Sequence, residues 1–97
     1  MNVRFLTVAK QELHDAKLYY ELEHPGLGKQ FEQDVKKSAQ RLKSFPKAGS
    51  EERGDIRKLL LHRFPFKLLY SIESDHILIL AVAHQHRQPD YWTDRIE

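Results

Sequence analysis

A chain of 97 residues has room for one hydrophobic core, since compact domains cluster near about 100–150 residues, so a two-domain reading is excluded. Hydrophobic residues at 40% and charged residues at 31% are the balance of a folded chain and exclude both intrinsic disorder and a membrane protein. A net charge of +2 and the lack of any cysteine remove bulk-charge nucleic-acid binding, disulfide scaffolds, thiolate metal sites and cysteine nucleophiles, leaving any basic site as a local patch.

The first ten residues lack the charged and apolar segments of a secretory signal, and no stretch approaches about 18 unbroken apolar residues, so a cytosolic protein without a membrane partner is expected. Residues 2–8 alternate loosely, with Val3 and Phe5 on one face and Arg4, Leu6 and Val8 on the other, which predicts a first strand. From Ala9 the period becomes helical. Ala9, Leu13, Ala16 and Tyr20 form an apolar line to about Glu23, with Lys10, Glu12, Asp15, Lys17 and Glu21 facing away. Pro25, Gly26 and Gly28 interrupt that pattern. A second helix then carries Leu27, Phe31, Val35, Ala39 and Leu42 on one side and ends at Phe45-Pro46. So short a join predicts an antiparallel helical hairpin.

Residues 46–54 have no period and read as an exposed loop. Three apolar stretches follow, 56–62, 66–72 and 77–83. Their length, β-branched content and short joins predict a meander of antiparallel strands. The last of them is apolar on both faces and reads as the central strand, with helices covering at least one side. Gln88-Pro89-Asp90 resembles a helix start, which predicts a short helix over 90–96. The whole, residues 1–97, is then one α+β domain: N-terminal strand, antiparallel helical hairpin, three-stranded antiparallel meander completing a sheet, and short C-terminal helix.

Polar groups gather where the later strands end. Arg57 and Arg63 share a face of their stretch, Lys67 points away from Phe66 and Leu68, and His84 and His86 continue the phase of Leu80 and Val82, followed by Arg87. Two imidazoles without a third ligand do not make a zinc site, so neither a metal nor a cofactor is expected. No hydrolase elbow or phosphate loop occurs. Metal-free phosphoryl chemistry has the right residue types in Arg57, Arg63, Lys67, His84, His86, Arg87 and Tyr91, against the plainer alternative of a solvated basic rim. Of the adjacent Tyr91 and Trp92 only one can readily pack inward, and the pair is either an anchor holding the last helix on the sheet, the favoured reading, or a contact for a partner. Leu18, Tyr19 and Leu22 make the hairpin broader than one sheet contact needs, which marks a candidate binding groove.

The run Arg57-Lys58-Leu59-Leu60-Leu61-His62-Arg63-Phe64-Pro65-Phe66-Lys67-Leu68-Leu69-Tyr70, then Ala81-Val82-Ala83-His84 and Arg87-Gln88-Pro89-Asp90-Tyr91-Trp92-Thr93-Asp94-Arg95, resembles the RelE/ParE superfamily of bacterial toxins, of plasmid-stabilisation type. The resemblance covers nearly the whole chain. It implies the toxin of a type II toxin–antitoxin module, inhibited by direct binding of a cognate antitoxin. Two activities divide the family: RelE-like members are ribosome-dependent mRNA endonucleases, and ParE-like members poison DNA gyrase.

Carried over by position, Lys67 keeps a basic residue of the nuclease set. An ungapped match, however, puts His86 where an arginine is expected, with Arg87 one step on, and Trp92 where the tyrosine is expected, with Tyr91 one step before. The closing His84 is more ParE-like. Gyrase inhibition is therefore the favoured expectation, with Arg57, Arg63, His84, Trp92, Arg95, Leu18, Tyr19 and Leu22 as residues meeting target or antitoxin. The alternatives are ribosome-dependent mRNA cleavage, for which the resemblance implies Lys67, His86, Arg87 and Tyr91 as the catalytic set, and an inactive toxin-fold binding domain.

Overall fold

The computed structural model describes residues 1–96; Glu97, included in the single-domain expectation, lies outside them. Strand β1 (Asn2–Phe5) leads into α1 (Thr7–Glu23) and α2 (Leu27–Ser44), followed by β2 (Ser50–Arg53), β3 (Ile56–Leu60), β4 (Phe66–Ile72), β5 (His76–His84) and a single 3₁₀ turn, Thr93–Arg95. The five strands form one sheet in the order β1-β5-β4-β3-β2, in which β1 runs parallel to β5 and every other pair is antiparallel. The α+β architecture and the meander are as the sequence predicts. Among the described residues no helix is long and apolar enough to cross a membrane.

Both predicted helical faces are the ones that pack. Ala9, Phe31, Val35 and Leu42 are buried with Leu59, Leu68, Tyr70, Ile77, Ile79 and Val82, and Leu13, Ala16, Tyr20 and Leu27 close the same core. The helices lie close together at Gly28, where a Cβ would meet the Lys17 carbonyl at 2.4 Å, so only glycine fits. Glu21 of α1 accepts from the amides of Gly26 (2.8 Å) and Gly28 (3.1 Å). It thereby supplies the acceptor that the first turn of α2 lacks locally.

Five expectations change. The first strand stops at Phe5, because the Leu6 carbonyl already accepts from Lys10 and the helix has begun; Val8 is a helical residue exposed to solvent. The loop 46–54 contains the edge strand β2, whose Ser50 and Glu51 pair with Lys58 and Arg57. A polar sequence forms a strand here because a neighbour's backbone, and not burial, holds it. Tyr70 sets up that pairing: its hydroxyl donates to the Pro46 carbonyl (2.6 Å) and accepts from the Gly49 amide (3.0 Å).

The middle of the sheet is β4, with β5 one place over and flanked by β1. The register of β5 against β4 also slips between Leu69 and Tyr70, where Ala81 pairs with Leu69 but Ile79 with Tyr70. Through this bulge Leu80 and Ala81 both join one face, and Val82 turns to the other. Leu80 and Val82 therefore do not share a phase, and His84 follows Val82 onto the helix side.

The predicted helix over 90–96 is reduced to one 3₁₀ turn. Asp90 has φ 69°, a left-handed conformation that no helical first turn accommodates. The Asp90 carbonyl instead accepts from the Thr93 amide and hydroxyl, and its carboxylate pairs with Arg53 at 3.0 Å. The helices cover one face of the sheet. Trp92 in the C-terminal segment covers the other, packed with Ile56, Leu69, Leu80 and Ala81.

Candidate functional site

β1 ends opposite Ile79, and the next groups on β5 meet side chains where the sheet would otherwise continue. The Leu80 carbonyl accepts from Arg95 Nη1 (2.9 Å), and the Val82 amide donates to Glu12 Oε1 (3.0 Å). Glu12 also takes both guanidinium nitrogens of Arg95, Nη1 on Oε1 at 2.9 Å and Nη2 on Oε2 at 3.0 Å, and the Tyr91 hydroxyl on Oε2 at 2.8 Å. One carboxylate of α1 thus fastens the C-terminal segment to the end of the sheet. The guanidinium of Arg87 lies 4.1 Å from the centre of the Tyr91 ring and that of Arg95 4.9 Å, so the phenol sits between two cations.

Glu12 is the residue the periodicity misplaced. It falls on the outward side of the helical wheel, yet both carboxylate oxygens are used and its side chain is largely covered. Its one legible signal is an acid on α1 in a chain whose last turn holds an arginine and a tyrosine.

Burial pushes the Tyr91 phenol well above the ordinary tyrosine range, and the hydrogen bond and charge of Glu12 push it further. Arg95's own hydrogen bonds to Glu12 hold its guanidinium more firmly protonated. At neutral pH Tyr91 is a donor and not a base. Burial likewise raises Tyr70.

A folded-state pKa above the unfolded value of about 10 means that the native state keeps a proton the unfolded chain loses, so stability is fully present below that pH and falls as pH rises past it. All four tyrosines are raised, Tyr91 by far the most clearly, so Tyr91 is expected to ionise last in a phenolate absorbance titration, and Tyr91→Phe should delete the latest step. If all four ionised together near the ordinary value in the folded protein, this assignment would be wrong.

The other candidates are dispersed. Lys67 lies on the sheet face opposite the helices, between Leu60 and Ala83 on neighbouring strands. His84 stands edge-on to Phe66 at 5.3 Å, and its ring is 5.3 Å from that of His86, whose amide donates to His84 Nδ1 (3.1 Å). Arg57 donates to the Gly49 carbonyl at 3.0 Å. Arg63 is exposed, and its amide donates to buried Asp34 Oδ2 at 3.0 Å.

Trp92, placed by the sequence among the partner-binding residues, is 1% exposed. It is the anchor of the pair, the largest side chain in the cluster that covers this face of the sheet among the described residues. Leu18, Tyr19 and Leu22 are 52%, 60% and 80% exposed on the outer side of α1. Near the end of the hairpin, Tyr19, Tyr20, Leu27, Phe66 and His84 line a shallow cavity of about 340 Å³.

Residues 3–89 match the family described as the ParE toxin of the type II toxin–antitoxin system parDE. Among solved structures, the chain is similar to one described as the chromosomal ParDE TA system from P. aeruginosa, with a TM-score of 0.77 and 23% identity over 87% of this chain and 95% of that one. That likeness concerns the fold. Among curated proteins no match was found.

Proposed function

Because the chain belongs to the ParE toxin family of type II toxin–antitoxin systems, we propose that it stops growth as a binding toxin directed at DNA gyrase, and that a cognate antitoxin neutralises it by direct contact. The observation that carries the choice of target is the state of Tyr91. An mRNA endonuclease built on Lys67, His86 or Arg87 and Tyr91 needs a phenol free to exchange a proton with its substrate. Here that hydroxyl is spent on Glu12, between two arginines, and its proton is held tightly.

What remains for a target is surface. The exposed Leu18, Tyr19 and Leu22 on α1 are large side chains of the kind that anchor protein interfaces, and Arg87 is exposed in the chain's last segment. Neither requires a cofactor.

Purified protein added to a gyrase supercoiling reaction is expected to inhibit it and to accumulate linear DNA, and induction in cells is expected to raise a DNA-damage response. No inhibition at micromolar protein would overturn the reading. The ribonuclease alternative draws on Arg87 stacked over Tyr91 and predicts codon-positioned mRNA ends with prompt translation arrest. Undisturbed growth with the protein folded would identify an inactive binding domain.

A further inference from the structure

The charge of this chain is divided between its two helices. α2 carries five lysines and arginines against two acids, and α1 two against four, although the chain as a whole is nearly neutral. The division is sharper at the surface. Every exposed residue of α2 is a cation, a glutamine or a serine: Lys29, Lys36, Lys37, Arg41 and Lys43, with three glutamines and Ser44 among them. Both acids of α2 are engaged elsewhere. Glu32 pairs with Lys17 of α1 at 3.1 Å, and Asp34 is buried and accepts from the Arg63 amide. No carboxylate among the described residues forms an ion pair with any of the five cations.

The cations stand in two rows. Lys36, Gln40 and Lys43 follow one another along one side of the exposed face, and Lys37 and Arg41 lie one turn apart on the other. Each row borders a cavity that adds an exposed arginine. Arg4 joins Lys36 and Lys43 beside β1, where the cavity is about 530 Å³, and Arg63 joins Lys37 and Arg41 beside the β3–β4 turn, where it is about 540 Å³. The C-terminal half of α2 is thus a cationic ridge with positive charge on both flanks.

A polyanion fits this ridge, and the composition of the face chooses among polyanions. A protein interface is centred on apolar and aromatic anchors and is poor in lysine; the exposed face of α2 has no apolar side chain, and the hairpin keeps surface of that kind on α1. Single-stranded nucleic acid is held by stacking of bases on aromatic rings, and this face has none. Lysine, arginine, glutamine and serine are side chains that grip the phosphate oxygens of a duplex backbone.

We propose that the outer face of α2, through Lys36, Lys37, Arg41 and Lys43 with Arg4 and Arg63 on its flanks, binds the phosphate backbone of duplex DNA without regard to sequence. The inference rests on the gyrase reading for where the chain meets that duplex: the hairpin presents α1 to the enzyme and α2 to the DNA the enzyme holds. Lys36 to Lys43 spans two helical turns, about 10 Å, so a strand laid along them offers about three phosphates. So few contacts make affinity for free duplex modest and salt-dependent.

Fluorescence anisotropy with a short fluorescein-labelled duplex is expected to show binding at low salt, with log affinity falling against log salt at a slope of about −3. Lys36→Gln with Arg41→Gln places a good helix former at two exposed positions and should weaken binding about tenfold or more while flattening the slope by about 2. Lys10→Gln with Arg53→Gln removes the same charge elsewhere and should change affinity by no more than about twofold. In the supercoiling reaction the α2 variant should need about tenfold more protein for the same linear DNA.

Equal weakening by the two pairs of substitutions would mean a response to overall charge and would overturn the proposal, as would a polyglutamate peptide or a single-stranded RNA binding α2 while the duplex does not. Gyrase inhibition unchanged in the Lys36→Gln, Arg41→Gln protein would overturn the role of α2 at the target and leave the gyrase reading standing. If the duplex binds at α2 while wild-type protein leaves gyrase unaffected, it is the gyrase reading that falls and the DNA surface that stands.

Discussion

Replacement of Trp92 by alanine is expected to cost about 4 kcal/mol of folding stability, in the range for deleting a fully buried indole. The size follows from what the residue covers. The sheet has two faces, one sealed by two helices, and the opposite one carrying Ile56, Leu69, Leu80 and Ala81 around Trp92. The segment that delivers the indole has one 3₁₀ turn of its own and no cooperative helix to keep it in place once the anchor is gone. In a domain of this size that loss should lower the thermal midpoint by about 20 °C, leaving little of the usual margin. Urea unfolding followed by far-UV circular dichroism measures it. A loss below about 1.5 kcal/mol would mean that something other than the indole seals this face, since that is less than a large buried side chain contributes.

Glu12→Ala is expected to be nearly as costly, about 3 kcal/mol, because it strands three donors together: the Arg95 guanidinium, the Tyr91 hydroxyl and the Val82 amide. Arg95 is the most expensive of these, as a charge left largely covered without its partner. The effect should therefore shrink in an Arg95→Met background, where no charge remains to be stranded and only the weaker donors are lost. Trp92 is the sole tryptophan, so its fluorescence reports the C-terminal segment directly. Glu12→Ala should expose it before the rest of the chain unfolds. Additive effects of the two substitutions would show that the pair acts independently and that the clamp is not one unit.

The helical hairpin was readable from the chain because each helix buries a single stripe, and a stripe leaves a period. The meander was readable because 66–72 and 77–83 are apolar beyond what any exposed segment tolerates. Edge strand β2 left no such trace: Ser50, Glu51, Glu52 and Arg53 are held by main-chain pairing to β3, and pairing is blind to side-chain type. The C-terminal helix failed at one residue, Asp90, whose left-handed backbone is compatible with Pro89 before it and Thr93 capping after it. The phase of β5 failed at Leu80, since a bulge moves every later side chain to the opposite face and an apolar run hides the slip.

The family and the α+β class follow from the residues alone, because both rest on hydrophobic periodicity and on motifs contiguous in the chain. So do the absence of thiol chemistry and the limit on net charge, which are sums over composition. Which polar residues work together was decided only by the tertiary structure. Glu12 and Arg95 are separated by most of the chain and meet at the end of β5, where β1 has stopped and two main-chain groups need partners. That meeting also takes up the Tyr91 hydroxyl, and Trp92 beside it is buried against Ile56, Leu69, Leu80 and Ala81. Contacts of this kind depend on where strands end in space, and a linear pattern of residue types does not encode that.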